Sequence, residues 1–259
     1  MSRVLSRPAV ASSLRAFSLR ALSFLGRDAV RIVLPSWCVS CRRELPWNER
    51  TASCCASCWA ALPKYRGPKC VSCALPAVHP DAGEHLCIAC MTDRLPVEWC
   101  EAWGEYAGSL ERLLHALKFE RHDFLAAPLA ELAEETLRAR GDLAFDTLVP
   151  VPMTRAKMRR RGYNQAELLA RALSSRLALR CDMTLLRRRG ERATQSTLPK
   201  RERAANVRGA FTASSRVKGK SILIVDDICT TGETLRACAT ALLRAGASRV
   251  CAVAVAKAS

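Results

Sequence analysis

Apolar positions follow two rhythms along the second part of this chain. Glu98 to Tyr106 alternates between apolar and polar residues, which predicts a strand. Leu110, Leu113, Leu114 and Leu117 recur at helical spacing and predict a helix over Ser109–Phe119. A second amphipathic helix spans Phe124 to Arg140, with Pro128 tolerated near its start and Gly141 as its stop. Thr147 to Pro152 reads as a strand running into a proline-constrained loop, and Asn164 caps a helix that shows Leu168, Leu169 and Leu173 on one face. Lys220 to Asp226 reads as a buried strand, Thr231 to Ala245 as its helix, closed by Gly246, and Val250 to Val255 as a last buried strand. Strands alternating with helices predict a parallel sheet, an α/β fold. Two arginine-rich stretches keep neither rhythm and read as loops: one after Pro152, over Arg155, Lys157, Arg159, Arg160 and Arg161, and one from Arg187 to Arg208.

Before Glu98 a different pattern rules. Cys38-x-x-Cys41 and Cys55-x-x-Cys58 are followed by Cys70-x-x-Cys73 and Cys87-x-x-Cys90, each cysteine 32 positions after its counterpart. Leu-Pro follows three of these knuckles, at Leu45, Leu62 and Leu75. This is an internal duplication. Each CxxC turn offers two thiolates on one side, and two knuckles complete a tetrahedral Zn²⁺ site. A unit this small buries too little surface to fold alone, so the metal supplies much of its folding energy. Two structural zincs are expected, one on Cys38, Cys41, Cys55 and Cys58, the other on Cys70, Cys73, Cys87 and Cys90. Cys54 is out of register and is the spare. His79 and His85 read as loop residues.

Composition refines the picture. The chain has 259 residues, 14 cysteines and a formal net charge of +17. Knuckle-spaced cysteines favour metal thiolates in a reducing compartment over disulfides. The surplus positive charge calls for polyanionic partners: nucleic acid, a polyphosphate or an acidic membrane surface. Residues 1–33 are basic and read as a tail ending in a short amphipathic helix from about Phe24 to Val33, with no h-region long enough for a signal peptide and no transmembrane run. The expected organisation is thus a tail over 1–33, a double zinc ribbon over 34–94 and an α/β domain over 95–259.

The densest chemistry lies in Ile222-Leu223-Ile224-Val225-Asp226-Asp227-Ile228-Cys229-Thr230-Thr231-Gly232-Glu233-Thr234. A buried strand leads into two carboxylates, then a hydroxyl-rich turn with a glycine, then a helix. Open α/β sheets place ligands at such strand ends. Backbone N–H groups and threonine hydroxyls at a helix start suit a phosphate. Carboxylates repel a phosphate but accept hydrogen bonds from a sugar diol, so the segment describes a ribose-5-phosphate site. A Walker-B strand is excluded: the one candidate phosphate loop, at Gly219-Lys220-Ser221, has Ser214 in place of its first glycine and precedes a strand.

The segment resembles the fingerprint of type I phosphoribosyltransferases, which use phosphoribosyl pyrophosphate (PRPP). Four CxxC knuckles followed by Leu117-Lys118-Phe119, Val149-Pro150-Val151-Pro152, Arg161-Gly162-Tyr163-Asn164-Gln165, Asn206-Val207-Arg208-Gly209-Ala210-Phe211 and the acidic fingerprint are similar to the ComF family, associated with DNA uptake and natural competence. The resemblance implies a type I phosphoribosyltransferase fold behind a double zinc ribbon, with Mg²⁺ arriving with PRPP. It assigns Asp226 and Asp227 to the ribose hydroxyls and Thr230, Thr231, Gly232 and Thr234 to the 5′-phosphate, with Glu233 at a variable position of that turn. It implies pyrophosphate contacts from Arg161, Arg208 and Lys118, and a catalytic part for Asp226, Asp227 and Arg201, the last from a loop that closes with Arg203 and Asn206. Tyr163, Asn164 and Gln165 shape the site. Single-stranded DNA, a competence helicase and other DNA-uptake proteins are the implied partners, in the cytoplasm near the inner membrane face. PRPP is then either consumed in phosphoribosyl transfer or sensed by a non-catalytic DNA-binding competence factor.

Overall fold

A computed structural model of the chain describes residues 36–46, 54–77, 81, 83–189 and 209–258. The expected N-terminal helix, His79 and the loop residues Arg201, Arg203, Asn206 and Arg208 lie outside the described residues. The chain divides into two compact units, Met1–Trp59 and Ala60–Ser259. The division falls inside the cysteine duplication: the first tetrad lies wholly in the first unit and the second tetrad wholly in the second.

In the first unit Trp37 and Glu44 form an antiparallel bridge around the Cys38–Cys41 turn. A short helix α1 (Ala56–Ala60) carries Cys58 of the next knuckle. In the second unit the repeat recurs: Lys69 bridges Pro76 around the Cys70–Cys73 turn, and α2 (Ile88–Thr92) carries Cys90.

The α/β body then runs β1 (Cys100–Glu105), α3 (Gly108–Phe119), α4 (Ala126–Arg140), β2 (Thr147–Pro150), α5 (Arg155–Arg161), α6 (Gln165–Leu177), β3 (Leu186–Arg188), β4 (Phe211–Ala213), β5 (Ser221–Cys229), α7 (Glu233–Arg244) and β6 (Arg249–Lys257). Four strands form an all-parallel sheet in the order β1-β6-β5-β2. β5 and β6 are central and covered on both faces, which is why they read as unbroken apolar runs. On one face Val149, Ile222, Ile224 and Ala252 share a core with Leu235, Cys238 and Leu242 of α7, and with Cys70, Cys73 and Cys90 of the second ribbon. The helices α4 and α6 pack against each other and against the sheet. Within the α/β body the predicted helices and sheet strands all occur, with ends shifted by a few residues.

Three expectations need correction. The stretch Arg155–Arg161 is a helix, because Thr154 Oγ1 accepts from Lys157 N at its start and Gly162, at φ +86°, ends it. It buries no residue, so no apolar rhythm marked it. The second basic loop is shorter than expected. Leu186–Arg188 pairs antiparallel with Phe211–Ala213, driven by burial of Leu186 and Phe211, while Arg188 stacks on the Phe211 ring at 5.3 Å. Finally, β5 runs three residues past Asp226, because β6 continues to Lys257 and keeps the ladder going. Cys229 therefore ends the strand, buried, with its thiol facing the Cys73 carbonyl, instead of lying in the turn.

Candidate functional site

The acidic pair sits inside the last rungs of β5, with Asp226 opposite Ala254 of β6. Successive strand residues point to opposite faces, so the two carboxylates leave the backbone in opposite directions. Asp227 is buried at 3% exposure. Its Oδ1 accepts from Ile228 N at 2.9 Å, and its Oδ2 lies 3.1 Å from Lys118 Nζ, an ion pair without hydrogen-bond alignment. Asp226 Oδ1 accepts from Asp227 N at 2.9 Å. Burial, and then the Asp227 charge, push the Asp226 carboxyl well above the usual carboxylate range, against the pull of that N–H and of Lys118. Two adjacent acidic side chains thus stand at this strand end, with one ammonium paired to Asp227.

Beyond Cys229 the chain turns at Thr230 and Thr231, both exposed, and enters α7 through Gly232. Gly232 has φ +81°, and a Cβ there would come within 3.0 Å of Leu95 Cδ1. The left-handed conformation alone costs an L-residue about 1–2 kcal/mol, so both backbone and packing demand glycine. Thr234 lies in the first turn of α7, and Glu233 sits beside Arg236, 3.6 Å from its Nε. The turn is anchored by a residue that local sequence patterns did not single out. Lys257, the buried last residue of β6, donates its ammonium to the carbonyls of Thr230 and Ala258. A lysine closing an apolar strand is the only signal the sequence offered for it.

The Leu117-Lys118-Phe119 and Arg161–Gln165 motifs come together beside this strand end. Leu117 O accepts from Tyr163 Oη at 2.6 Å, Lys118 reaches Asp227, and the Phe119 ring carries the Arg161 guanidinium at 4.7 Å. Asn164 Oδ1 accepts from Ala166 N as the cap of α6, while its Nδ2 donates to Val151 O in the loop after β2. Arg161 Nε, Gln165 Oε1 and Asp227 Oδ2 are buried polar atoms without a hydrogen-bond partner among the described residues. Such atoms are rare in a closed core and mark places where a ligand's polar groups fit. Both histidines near Lys118 turn to the Glu120 carboxylate, His115 at 3.4 Å and His122 at 4.0 Å. Arg201 and Arg208 lie outside the described residues.

The two cysteine tetrads assemble as the spacing predicts. In each, the four sulfurs lie within 4.8 Å of one another. Cys55 N donates to Cys38 Sγ at 3.4 Å, and Cys87 N donates to Cys70 Sγ at 3.3 Å, so the duplication holds at the level of single hydrogen bonds. Burial opposes ionisation of Cys38, but N–H groups of Cys41, Cys55 and Ser40 outweigh it and bring the thiol to about 6. The same balance, through Cys87, Cys73 and Ser72, brings Cys70 to about 7. Closely spaced sulfurs with thiolate-stabilising N–H groups are the donor set of a structural zinc. Cys54 Sγ lies 3.7 Å from Cys38 Sγ and remains outside the tetrad.

Comparison with known families places both modules. The phosphoribosyl transferase domain profile matches residues 124–259, and the double zinc ribbon domain profile matches residues 29–104. The chain is 34% identical over 223 residues to DNA utilization protein YhgH of Salmonella typhimurium, covering 85% of this chain and 96% of that one. It is 28% identical over 200 residues to Competence protein ComFC of Bacillus subtilis, covering 74% and 78%. It is 28% identical over 154 residues to Competence protein F of Haemophilus influenzae, covering 57% and 67%. With relatives aligned through the ribbons as well as the sheet, the chain belongs to the ComF family of phosphoribosyltransferase-domain proteins.

Proposed function

We propose that the chain binds PRPP with Mg²⁺ at the C-terminal end of β5 and acts as a phosphoribosyltransferase in DNA utilisation and competence. The observation that carries this reading is the Asp226–Asp227 pair, Asp227 buried and Asp226 partly buried, at the head of a glycine-gated turn. Placing a second acidic side chain beside the buried Asp227–Lys118 pair is costly. In the proposed complex Asp226 and Asp227 accept from the ribose 2′- and 3′-hydroxyls. Thr230, Thr231, Gly232 and Thr234 wrap the 5′-phosphate, with Glu233 at the rim of the turn. Arg161 and Lys118, joined by Arg208, meet the pyrophosphate, and Arg201 closes over it. Carboxylate and hydroxyl oxygens are the donors a hard cation prefers, so the same strand end suits the Mg²⁺ that accompanies PRPP.

In the transfer, the bond from ribose C1 to the pyrophosphate oxygen breaks and the leaving group keeps the electron pair. A nucleophilic atom of the acceptor bonds to C1 and gives up its proton. The protein's part is to orient the partners, neutralise pyrophosphate and exclude water. Arginine forks match phosphate oxygens.

A second reading is a single-stranded-DNA-binding competence factor that senses PRPP without consuming it. The net charge of +17 and the name of the DNA utilization relative favour it. Both readings place the protein in the cytoplasm, near the inner face of the membrane where DNA-uptake proteins work. No helix among the described residues is long and apolar enough to cross a membrane.

The test is calorimetric titration of the zinc-loaded chain with PRPP and Mg²⁺. The Asp226→Asn/Asp227→Asn variant should lose at least tenfold in affinity; equal affinity in variant and wild type overturns the assignment. Release of pyrophosphate, with and without single-stranded DNA, separates transfer from sensing.

A further inference from the structure

A cavity of about 540 Å³ opens between the outer face of α7 and the β3–β4 hairpin. It is separate from the acidic pair, which does not line it. Its lining includes an apolar patch: Phe211 from the hairpin, and Ala237 and Ala241 from α7, spaced one helical turn apart. Thr240 adds a hydroxyl to the wall, and Arg189 and Arg244 stand among its lining residues.

The charges in this cavity are not equivalent. Arg236, which also lines it, is held by the carbonyls of Asp93 and Arg94, by the Asp93 carboxylate and by Glu233. Its charge is already matched. The guanidiniums of Arg189 and Arg244 are exposed and have no acidic or hydrogen-bonding partner among the described residues. Arg188 next to them is stacked on Phe211, so that ring is already presented on a cationic support.

Volumes of roughly 300–1,000 Å³ take ligands of nucleotide size. Small alanine side chains leave a slot into which a planar, weakly polar body fits, walled on the hairpin side by the buried Phe211 ring. Two exposed guanidiniums nearby, unpaired among the described residues, suit phosphate oxygens, which they bind as paired donors. Planar body and phosphate together define one chemistry. We infer that the groove between α7 and the β3–β4 hairpin is a nucleoside-phosphate site, distinct from the β5 strand end. Its occupant is either a free mononucleotide or one nucleotide unit of a single strand. The inference does not depend on PRPP binding at the acidic pair.

The test uses the full zinc-loaded chain, with AMP, dTMP and a fluorescein-labelled 20-nucleotide oligo(dT) as probes. Arg189→Glu/Arg244→Glu reverses the two unpaired charges at exposed positions, and Ala241→Leu fills the apolar patch. Wild type should bind at least one probe saturably, each variant should weaken that binding at least tenfold, and PRPP affinity should stay unchanged in Ala241→Leu. Binding of AMP or dTMP identifies a mononucleotide site. Binding of oligo(dT) alone, weakened in both variants, identifies a strand track. Binding of no probe, or binding unchanged in the charge-reversal variant, overturns the inference. Circular dichroism separates a local effect from misfolding in Ala241→Leu, and the charge-reversal pair decides the matter if that variant fails to fold. The Asp226→Asn/Asp227→Asn variant should bind these probes as wild type does, so failure of the PRPP reading and failure of this one are distinguishable.

Discussion

Asp226 holds its proton more tightly in the folded chain than in the unfolded one. Burial and the neighbouring Asp227 charge both disfavour its anion. Between the unfolded carboxylate value and its raised folded value, the folded state binds more protons. The contribution of this group to stability is therefore greatest at low pH and declines as pH rises through that window. A ligand that needs the carboxylate, such as Mg²⁺ with PRPP, must displace the proton. PRPP titrations in buffers of different ionisation enthalpy should show proton release at pH values below the raised folded value, and affinity that rises with pH through that window. Asp226→Asn should abolish the buffer dependence; a wild-type enthalpy equal in all buffers would count against a raised Asp226. The acidic pair and the glycine of its turn were legible because strand, carboxylates and turn are contiguous in the chain. The ammonium that pairs with Asp227 was named only through its motif, and the lysine that anchors Thr230 was not found. Lys118 and Lys257 are distant in sequence from what they touch, and only the packing of α3 and β6 around β5 brings them there.

At the scale of elements, the two cysteine ribbons are alike in sequence and unlike in their attachments. Cys70, Cys73 and Cys90 share a core with β2, β5, β6 and α7. Backbone bonds extend that union: Cys100 N donates to Val71 O at 2.7 Å, and Leu95 N donates to Ser72 Oγ at 3.0 Å. The first tetrad lies in the other compact unit. Each of Cys38→Ser and Cys70→Ser should remove one of two bound zincs. Only Cys70→Ser should loosen the sheet, faster hydrogen exchange in β5 and β6 peptides accompanying a fall in melting temperature of about 5–10 °C, equivalent to about 2–3 kcal/mol. Equal effects of the two substitutions would refute the distinction. The duplication was visible in spacing alone. That the second copy shares a core with the sheet was not, because the deciding contacts are apolar and carry no motif. The helix α5 and strand β3 escaped for a related reason: each is too short and too basic to show a period.

At the scale of the molecule, the surplus of 41 basic over 24 acidic side chains shapes every encounter with a polyanion. Binding of single-stranded oligonucleotide should weaken by about 300-fold or more between 50 and 200 mM salt if six or more phosphates are neutralised. A salt-independent affinity would rule out phosphate contacts as its source. Charge, spacing and apolar period are properties of order along the chain, so sequence alone determined the α/β class, the two metal tetrads and the acidic phosphate-turn fingerprint. Tertiary structure decided the rest, because it joins residues that no local pattern connects. It paired Lys118 with Asp227, set Arg161 on Phe119, and opened the arginine-rimmed groove between α7 and the hairpin.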